Sequence, residues 1–343
     1  MEEEKLRRSN IVAHEIILTL PEYEDPVNIS GFWETSVNIT DPLERSATPS
    51  GQLFHNLTRN IITSFTIVSC ILGLVGNGRT IYLLAYSIKR NSFTTYILNL
   101  SIADFGVLIS LIIAVIFVGL SILFARTYIL YTFFFLFFEL FFFTYSASQF
   151  LLTAISLDRC VAVLFPLWHR CHRPPYLSGL VCGVIWTLSF LLSAVHFILH
   201  QARSFGSSPL LYQLIVNGLL CTPLMVVSTV TLLIYVGSKA QRNQRKLLTT
   251  LLLALLFFLL FSFPMDAFYV IQYFGSPHPV LMAIGIGCAS LNSSINPLLY
   301  FLVGRKQAGK ALPRASLKDA LQRVFKDEQG NPEEQKTMKE DQL

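Results

Sequence analysis

The sequence predicts an all-α membrane protein in which seven helices cross the bilayer. Of its 343 residues, 53% are hydrophobic and only 14% are charged. Soluble domains carry closer to a quarter of charged residues, so this composition indicates a membrane protein. The hydrophobic residues fall into seven continuous blocks, each long enough or nearly so to cross about 30 Å of hydrocarbon. The blocks comprise residues 61–87, 94–118, 128–157, 177–199, 211–236, 248–273 and 279–303.

The basic residues between the blocks predict the orientation. Three alternate connections, beginning with 88–93, hold nine Lys and Arg residues, whereas the other three hold two. Basic connections stay in the cytoplasm. The C-terminus is therefore expected in the cytoplasm and the N-terminus outside, in a multi-pass protein of the plasma membrane. Because the blocks are continuously apolar, a transmembrane β-barrel is excluded.

Residues 1–60 are predicted to form an extracellular, glycosylated tail. This stretch is polar, contains several prolines and carries three N-x-S/T acceptors, at Asn28, Asn38 and Asn56. It shows no cleavable signal peptide, so we expect the first block to serve as an uncleaved signal anchor.

One carboxylate, Asp104, lies in the middle of the second block. A carboxylate at this depth requires protonation, a cation or polar partners. Ser148, Asn292 and Asn296 are the candidates in other blocks, together with Asn77. Two interpretations stay open: a hydrogen-bonded structural cluster, and a sodium-linked switch.

The third block ends at the charged doublet Asp158-Arg159. Charged residues within or at the end of a membrane helix often mark function. Prolines at 223, 264 and 297 interrupt the fifth, sixth and seventh blocks. Kinked helices around a polar core would form an element with two stable arrangements.

The extracellular half offers two acidic candidates for ligand binding. Glu139 lies about five turns above Asp158 in the third block, and Asp266 lies in the sixth. A cationic group on a ligand would be attracted by either carboxylate at low dielectric, and Phe141 and Tyr145 are the aromatic candidates beside them. The alternative is that Glu139 faces lipid headgroups and Asp266 pairs within the bundle.

Beyond the seventh block, residues 304–326 show apolar positions at helical spacing with basic residues among them. This pattern predicts an amphipathic helix on the membrane surface, followed by a disordered cytoplasmic tail over 327–343. All six cysteines lie in apolar blocks or in predicted cytoplasmic segments. We therefore expect no extracellular disulfide, and no structural metal site.

The motifs of the blocks, in order, are Asn77, Leu100-Ser-Ile-Ala-Asp104, Asp158-Arg159-Cys160, Trp186, Pro223, Pro264 and Asn296-Pro-Leu-Leu-Tyr300. One motif falls in each helix, and in this order they resemble those of rhodopsin-like G-protein-coupled receptors. Arg170-Cys-His-Arg-Pro174 and Thr222-Pro-Leu-Met225 add a resemblance to the Mas-related receptors. The resemblance covers residues 60–303.

The resemblance implies a receptor that binds an extracellular ligand, a peptide or a small cationic molecule, and activates heterotrimeric G proteins. It implies that Arg159 engages the G protein, that Tyr300 rotates on activation, and that arrestin is a second partner. It also implies a sodium pocket formed by Asp104, Ser148, Asn292 and Asn296. Ser262 stands where many rhodopsin-like receptors have tryptophan, which puts the usual activation relay in doubt.

The sequence disfavours other classes of function. A retinal-based light sensor requires a lysine in block 279–303, which has none. A transporter or channel is disfavoured because the helices do not repeat and no charged ring lines a pore. No enzyme motif is present, and neither an enzymatic activity nor a nucleic-acid partner is expected. The remaining alternative is an orphan receptor-like protein that acts by constitutive activity or by pairing with other receptors.

Overall fold

A computed structural model describes the helical core of the protein. The described residues are 49–88, 90–123, 128–201, 209–238 and 279–306, together with Leu252, Leu256, Leu260, Phe261, Pro264, Met265 and Ala267. Within these residues the only regular elements are helices, as the sequence predicts. The helices are α1 (Pro49–Tyr82), α2 (Ser92–Leu123), α3 (Tyr128–Leu164), α4 (Pro166–Cys171), α5 (Leu177–Gln201), α6 (Pro209–Ser238) and α7 (Pro279–Lys306).

Five of the described helices are long and apolar enough to cross a membrane. Their apolar spans are Leu57–Ser87, Ser92–Phe117, Phe135–Leu164, Leu177–Ile198 and Ile215–Tyr235. The predicted sixth block lies mostly outside the described residues. Residues 1–48 of the tail predicted over 1–60 also lie outside them, as do the segments predicted beyond residue 306. The seventh block is present as α7.

Two predicted boundaries differ from the structure. The first helix begins at Pro49, well before residue 61, and proline at the first helical position is favourable because its missing N–H needs no partner there. It continues through a π-helical segment, Leu83–Ser87. The third helix does not end at residue 157 but runs to Leu164. The doublet Asp158-Arg159 therefore lies inside α3, on its penultimate turns.

The end of α3 follows from Pro166. Proline disfavours helical backbone in the residue before it, and Phe165 has φ −126° and ψ 62°. The chain then turns into α4, with Pro166 at its start. The sequence interpretation treated residues 158–176 as a plain connection and missed this short helix.

Helix α3 is the centre of the packing. Most of its apolar span is buried, whereas α1, α5 and α6 expose most of theirs. The core includes Ile97 and Leu100 of α2, Leu151 and Ile155 of α3, and Met225 of α6. Large apolar side chains on the outer faces are exposed, and they form the kind of surface that hydrocarbon would cover.

Small residues let α1 and α7 approach closely. A Cβ atom built on Gly73 would lie 2.8 Å from Cβ of Ser294 and 2.7 Å from Cδ1 of Leu108. One built on Gly76 would lie 3.1 Å from Cβ of Pro297. Ser294 Oγ donates to the carbonyl of Ser69 at 2.9 Å. Packing of this kind is typical of membrane helices, whose association depends on close contact.

The start of α2 is fixed by a reciprocal cap. Asn91 Oδ1 accepts a hydrogen bond from the backbone N–H of Thr94 at 2.7 Å, and Thr94 Oγ1 accepts one from the N–H of Asn91 at 2.8 Å. Both N–H groups belong to the helix start, where no carbonyl of the preceding turn is available. The cap sets the position of the first turn, which carries Phe93 and Tyr96.

Candidate functional site

A buried charged cluster surrounds Asp158. Its carboxylate contacts a different cation at each oxygen: Arg159 Nη2 lies 2.7 Å from Oδ2, and Arg173 Nη2 lies 2.6 Å from Oδ1. His169 Nε2 lies 3.9 Å from Oδ1. The side chains of Asp158, Arg159 and Arg173 are 10%, 5% and 7% exposed. We call these four residues the Asp158 cluster.

Two aromatic residues of α2 close the Asp158 cluster. The guanidinium carbon of Arg159 stands 4.4 Å above the ring centroid of Phe93, a cation–π distance. The hydroxyl of Tyr96 lies beside the guanidinium of Arg173. Both arginines therefore contact α2 as well as Asp158, and their side chains are buried rather than exposed to solvent.

Arg173, His169 and Tyr96 were missed by sequence reasoning. Arg173 was counted among the basic residues that indicate the orientation and within Arg170-Cys-His-Arg-Pro174, but no partner was predicted for it. The available signal was the carboxylate of Asp158, whose two oxygens can each accept from a cation, but the sequence does not distinguish Arg173 from Arg170 as the second partner.

The protonation of His169 is set by its neighbours. Burial lowers its pKa, as do Arg173 and Arg159, while Asp158 partly opposes them. Arg173 Nη1 lies 2.6 Å from His169 Nε2. Because a guanidinium only donates, the imidazole nitrogen accepts this hydrogen bond and His169 is neutral.

The lowered pKa predicts a pH dependence of stability. As pH falls through the ordinary histidine value, about 6.5, the unfolded chain takes up a proton before the folded chain does, so the free energy of unfolding decreases. The melting temperature of solubilised protein should fall more between pH 7.5 and 5.5 in the wild type than in His169→Gln, whose amide oxygen can still accept from Arg173. Parallel pH profiles for the two proteins would contradict this assignment.

A second buried cluster surrounds Asp104. Ser148 Oγ donates to Asp104 Oδ1 at 2.7 Å, and Asn296 Nδ2 donates to Oδ2 at 2.8 Å. Asp104 is fully buried. The structure thus brings three of the four residues predicted for a sodium pocket together from α2, α3 and α7. Asn292 is buried one turn before Asn296, and no hydrogen bond from it to Asp104 is present.

The Asp104 cluster contains further buried oxygen atoms. Ser293 Oγ lies within hydrogen-bonding reach of the Asp104 carboxyl, and Asn77 Oδ1 is buried without a hydrogen-bond partner among the described residues. Asn77 Nδ2 donates to the carbonyl of Ser293 at 2.9 Å, which joins α1 to the cluster. Carboxylate, hydroxyl and amide oxygens are the ligands that hard cations prefer. The residues therefore fit a sodium ion.

Glu139 is paired inside the helix assembly. Its Oε1 bonds to His196 Nδ1 of α5, and the side chains of Glu139 and His196 are 12% and 2% exposed. The alternative that Glu139 faces lipid headgroups is therefore wrong. Glu139 Oε2 is buried and has no hydrogen-bond partner among the described residues. Sequence reasoning missed His196 because it considered only a cationic ligand or the lipid headgroups as neighbours of Glu139.

The aromatic candidates are part of the core. Phe141 and Tyr145 are buried and stack on each other, with ring centroids 5.5 Å apart and planes 12° apart. Phe142 meets Phe141 edge to face at 5.0 Å. A contact of Phe141 or Tyr145 with a ligand stays a prediction.

The remaining predicted site residues are spread along the chain. Pro223 and Pro297 lie inside α6 and α7, and the backbone of Pro264 is helical. Tyr300 lies on α7. Asp266, Asn28 and Asn38 lie outside the described residues. Asn56 lies on α1, directly before the span that begins at Leu57, and its glycosylation stays a prediction.

The helical fold and the two buried polar clusters define a class of membrane receptor. Residues 76–300 match the family model of seven-transmembrane receptors of the rhodopsin family. The match covers most of the chain and confirms the predicted fold class.

The similar proteins narrow the assignment. The chain is 35% identical over 274 residues to human "Proto-oncogene Mas", an alignment that covers 75% of this chain and 81% of that protein. It is 33% identical over 286 residues to human "Mas-related G-protein coupled receptor member D", covering 78% and 86% of the two chains. To human "Mas-related G-protein coupled receptor member X1" it is 33% identical over 299 residues, covering 83% and 90%. The chain belongs to the Mas-related receptors of the rhodopsin family.

Proposed function

We propose that this receptor binds a peptide or a small cationic molecule at its extracellular side and activates heterotrimeric G proteins at its cytoplasmic side. The observation that carries the proposal is Arg159. Its side chain is 5% exposed and is held by Asp158 and by the ring of Phe93. A buried arginine near a helix end, held in part by an ion pair, has two available states: paired inside, or donating to a partner outside.

The surface next to Arg159 fits a protein partner. Leu164, Phe165, Leu167 and Trp168 expose between 45% and 74% of their area around the start of α4. Large exposed apolar residues that adjoin a charge are typical of interaction surfaces. The basic connections favour a cytoplasmic location for this end, where a G protein would meet both the apolar surface and the released arginine. Arrestin, as a second partner, would meet the same end.

The proposed ligand site uses Glu139 and Asp266. Glu139 Oε1 is occupied by His196, whereas Oε2 has no partner among the described residues. A cationic ligand group would therefore find one acceptor oxygen already desolvated, in a region where an ion pair is stronger than in water. Binding there would compete with His196 for Glu139 and change the contact between α3 and α5.

We propose that the Asp104 cluster holds a sodium ion in the resting state. Asp104 would supply the negative charge, and Ser148, Ser293 and Asn292 would supply neutral oxygens. The ion would supply a positive charge that links α2, α3 and α7, and its binding would favour the arrangement in which these oxygens converge. Asn296 already donates to Asp104, so α7 is coupled to the same carboxylate.

The test is guanine-nucleotide exchange by a G-protein heterotrimer in the presence of receptor in lipid nanodiscs, with a library of basic peptides as ligands. Arg159→Gln is expected to reduce both basal and peptide-stimulated exchange by at least about tenfold, because it removes a charge-assisted contact with the partner. The matched control is Arg90→Gln, which neutralises an exposed arginine near the same end. Unchanged exchange by correctly folded Arg159→Gln receptor would refute the proposed function.

A further inference from the structure

Asp158 is shared between two arginines that come from different parts of the chain. Arg159 is its neighbour on α3, whereas Arg173 comes from the chain that joins α4 to α5 and reaches the opposite carboxylate oxygen. Each carboxylate oxygen therefore has its own cation. Nη2 of Arg173 is not aligned for a hydrogen bond with Asp158 although it lies 2.6 Å from Oδ1, so the attraction between them is chiefly that of two charges.

Arg173 is fixed independently of Arg159. Its Nη1 bonds to His169 at 2.6 Å, and its guanidinium lies beside the hydroxyl of Tyr96. It is followed directly by Pro174 and Pro175, which restrict the backbone. None of these contacts involves Arg159. The second cation can therefore remain on Asp158 when the first one leaves.

The two arginines change the cost of releasing Arg159. If Asp158 had Arg159 as its one cation, release would leave an unpaired carboxylate with a 10% exposed side chain, and uncompensated buried charges are strongly unfavourable. With Arg173 in place the carboxylate stays paired. Within the Asp158 cluster two guanidinium groups share one carboxylate, and their mutual repulsion also favours the departure of one of them.

We propose that Arg173 is a resident counter-ion that keeps Asp158 paired while Arg159 moves out to the G protein, and that it thereby makes activation easier. Arg173 is a positioning residue: it acts through Asp158 and does not itself contact the partner. The inference rests on the proposed function, since it assumes that release of Arg159 is the activating step. The proposal predicts that removing Arg173 lowers activity. A simple lock would predict the opposite, because removing any partner of Asp158 would then raise activity.

The test measures basal nucleotide exchange by full-length receptor in lipid nanodiscs. Arg173→Gln is expected to lower exchange by about tenfold, because Asp158 then holds Arg159 alone. Arg173→Lys keeps the charge and should restore most of the activity. Asp158→Asn should raise exchange by about tenfold, because it removes the anion that retains Arg159.

The double variant separates a charge effect from a structural one. In the Asp158→Asn background, Arg173→Gln should have no further effect, since there is no carboxylate left to compensate. Should Arg173→Gln alone not be recovered as folded protein, the double variant is compared with Asp158→Asn. Equal exchange by the two supports the proposal, and unequal exchange overturns it.

Three other results would overturn the inference. They are higher exchange in Arg173→Gln, unchanged exchange in Arg173→Gln, and a lysine variant as inactive as the glutamine variant. These outcomes are distinct from failure of the proposed function, which is reported by Arg159→Gln. If Arg159→Gln loses exchange while Arg173→Gln does not, only the role of Arg173 is wrong.

Discussion

Replacing Gly73 with alanine is expected to lower the thermal stability of the receptor, and replacing it with leucine is expected to prevent folding. The added Cβ would lie 2.7 Å from Cδ1 of Leu108 and 2.8 Å from Cβ of Ser294. Overpacking of a tight contact costs roughly 1–3 kcal/mol. Shifting Ser294 to make room would also disturb its hydrogen bonds to Ser69 and Ser290. The measurements are the melting temperature and the yield of monodisperse receptor.

Gly183 provides the matched control. It also lies inside a membrane helix, α5, but a Cβ built on it would have no neighbour within 4 Å. Gly183→Ala should leave stability unchanged or raise it by up to about 1 kcal/mol, because alanine favours the helix more than glycine does. Similar losses at both glycines would show that helix propensity rather than the contact between α1 and α7 decides the outcome.

Asp104→Asn is expected to abolish the stabilisation of the receptor by sodium. For the wild type, a sodium concentration ten times the dissociation constant should add about 1.4 kcal/mol to the free energy of unfolding. The asparagine variant retains size and polarity but lacks the charge that attracts the ion. Melting temperatures in sodium chloride and in choline chloride of equal ionic strength give the comparison, since the two salts screen surface charges equally.

A pair of serine variants locates the sodium effect. Ser148 donates to Asp104, whereas Ser146, two residues earlier on α3, accepts a hydrogen bond from Asn217 Nδ2 at 2.7 Å. Ser148→Ala should weaken the response to sodium, and Ser146→Ala should retain it. A sodium response that survives Asp104→Asn, or its absence from the wild type, would contradict the proposed site.

The fold was predictable because hydrocarbon imposes a simple pattern. Apolar blocks predicted α2, α5 and α6 to within a few residues, since their ends coincide with changes in polarity. The end of α3 was misplaced because Asp158 was read as the end of the apolar segment. Helices end where backbone geometry requires it, and the first such requirement is Pro166, after six more apolar residues beyond the doublet.

The two clusters were predictable to different degrees. Asp104 stands alone among apolar residues, so its polar partners could be found by searching the other blocks for serine and asparagine. Arg173 belongs to a connection rich in charge, where sequence gives no reason to prefer it over Arg170. Its selection depends on the turn that Pro166 and α4 introduce, which is a property of the folded chain. The partner of Glu139 was missed because the sequence does not show which turn of α5 packs against Glu139 of α3.

All six cysteines of the receptor are free thiols, and they differ greatly in access. Cys171, at the end of α4, is exposed, whereas Cys70, Cys160, Cys182 and Cys221 are buried and Cys288 is intermediate. A maleimide fluorophore should therefore attach first at Cys171 in the unmodified protein. Because this position lies two residues from both His169 and Arg173, the emission of such a dye would follow rearrangement of the neighbouring ion pairs in real time, without any engineered cysteine.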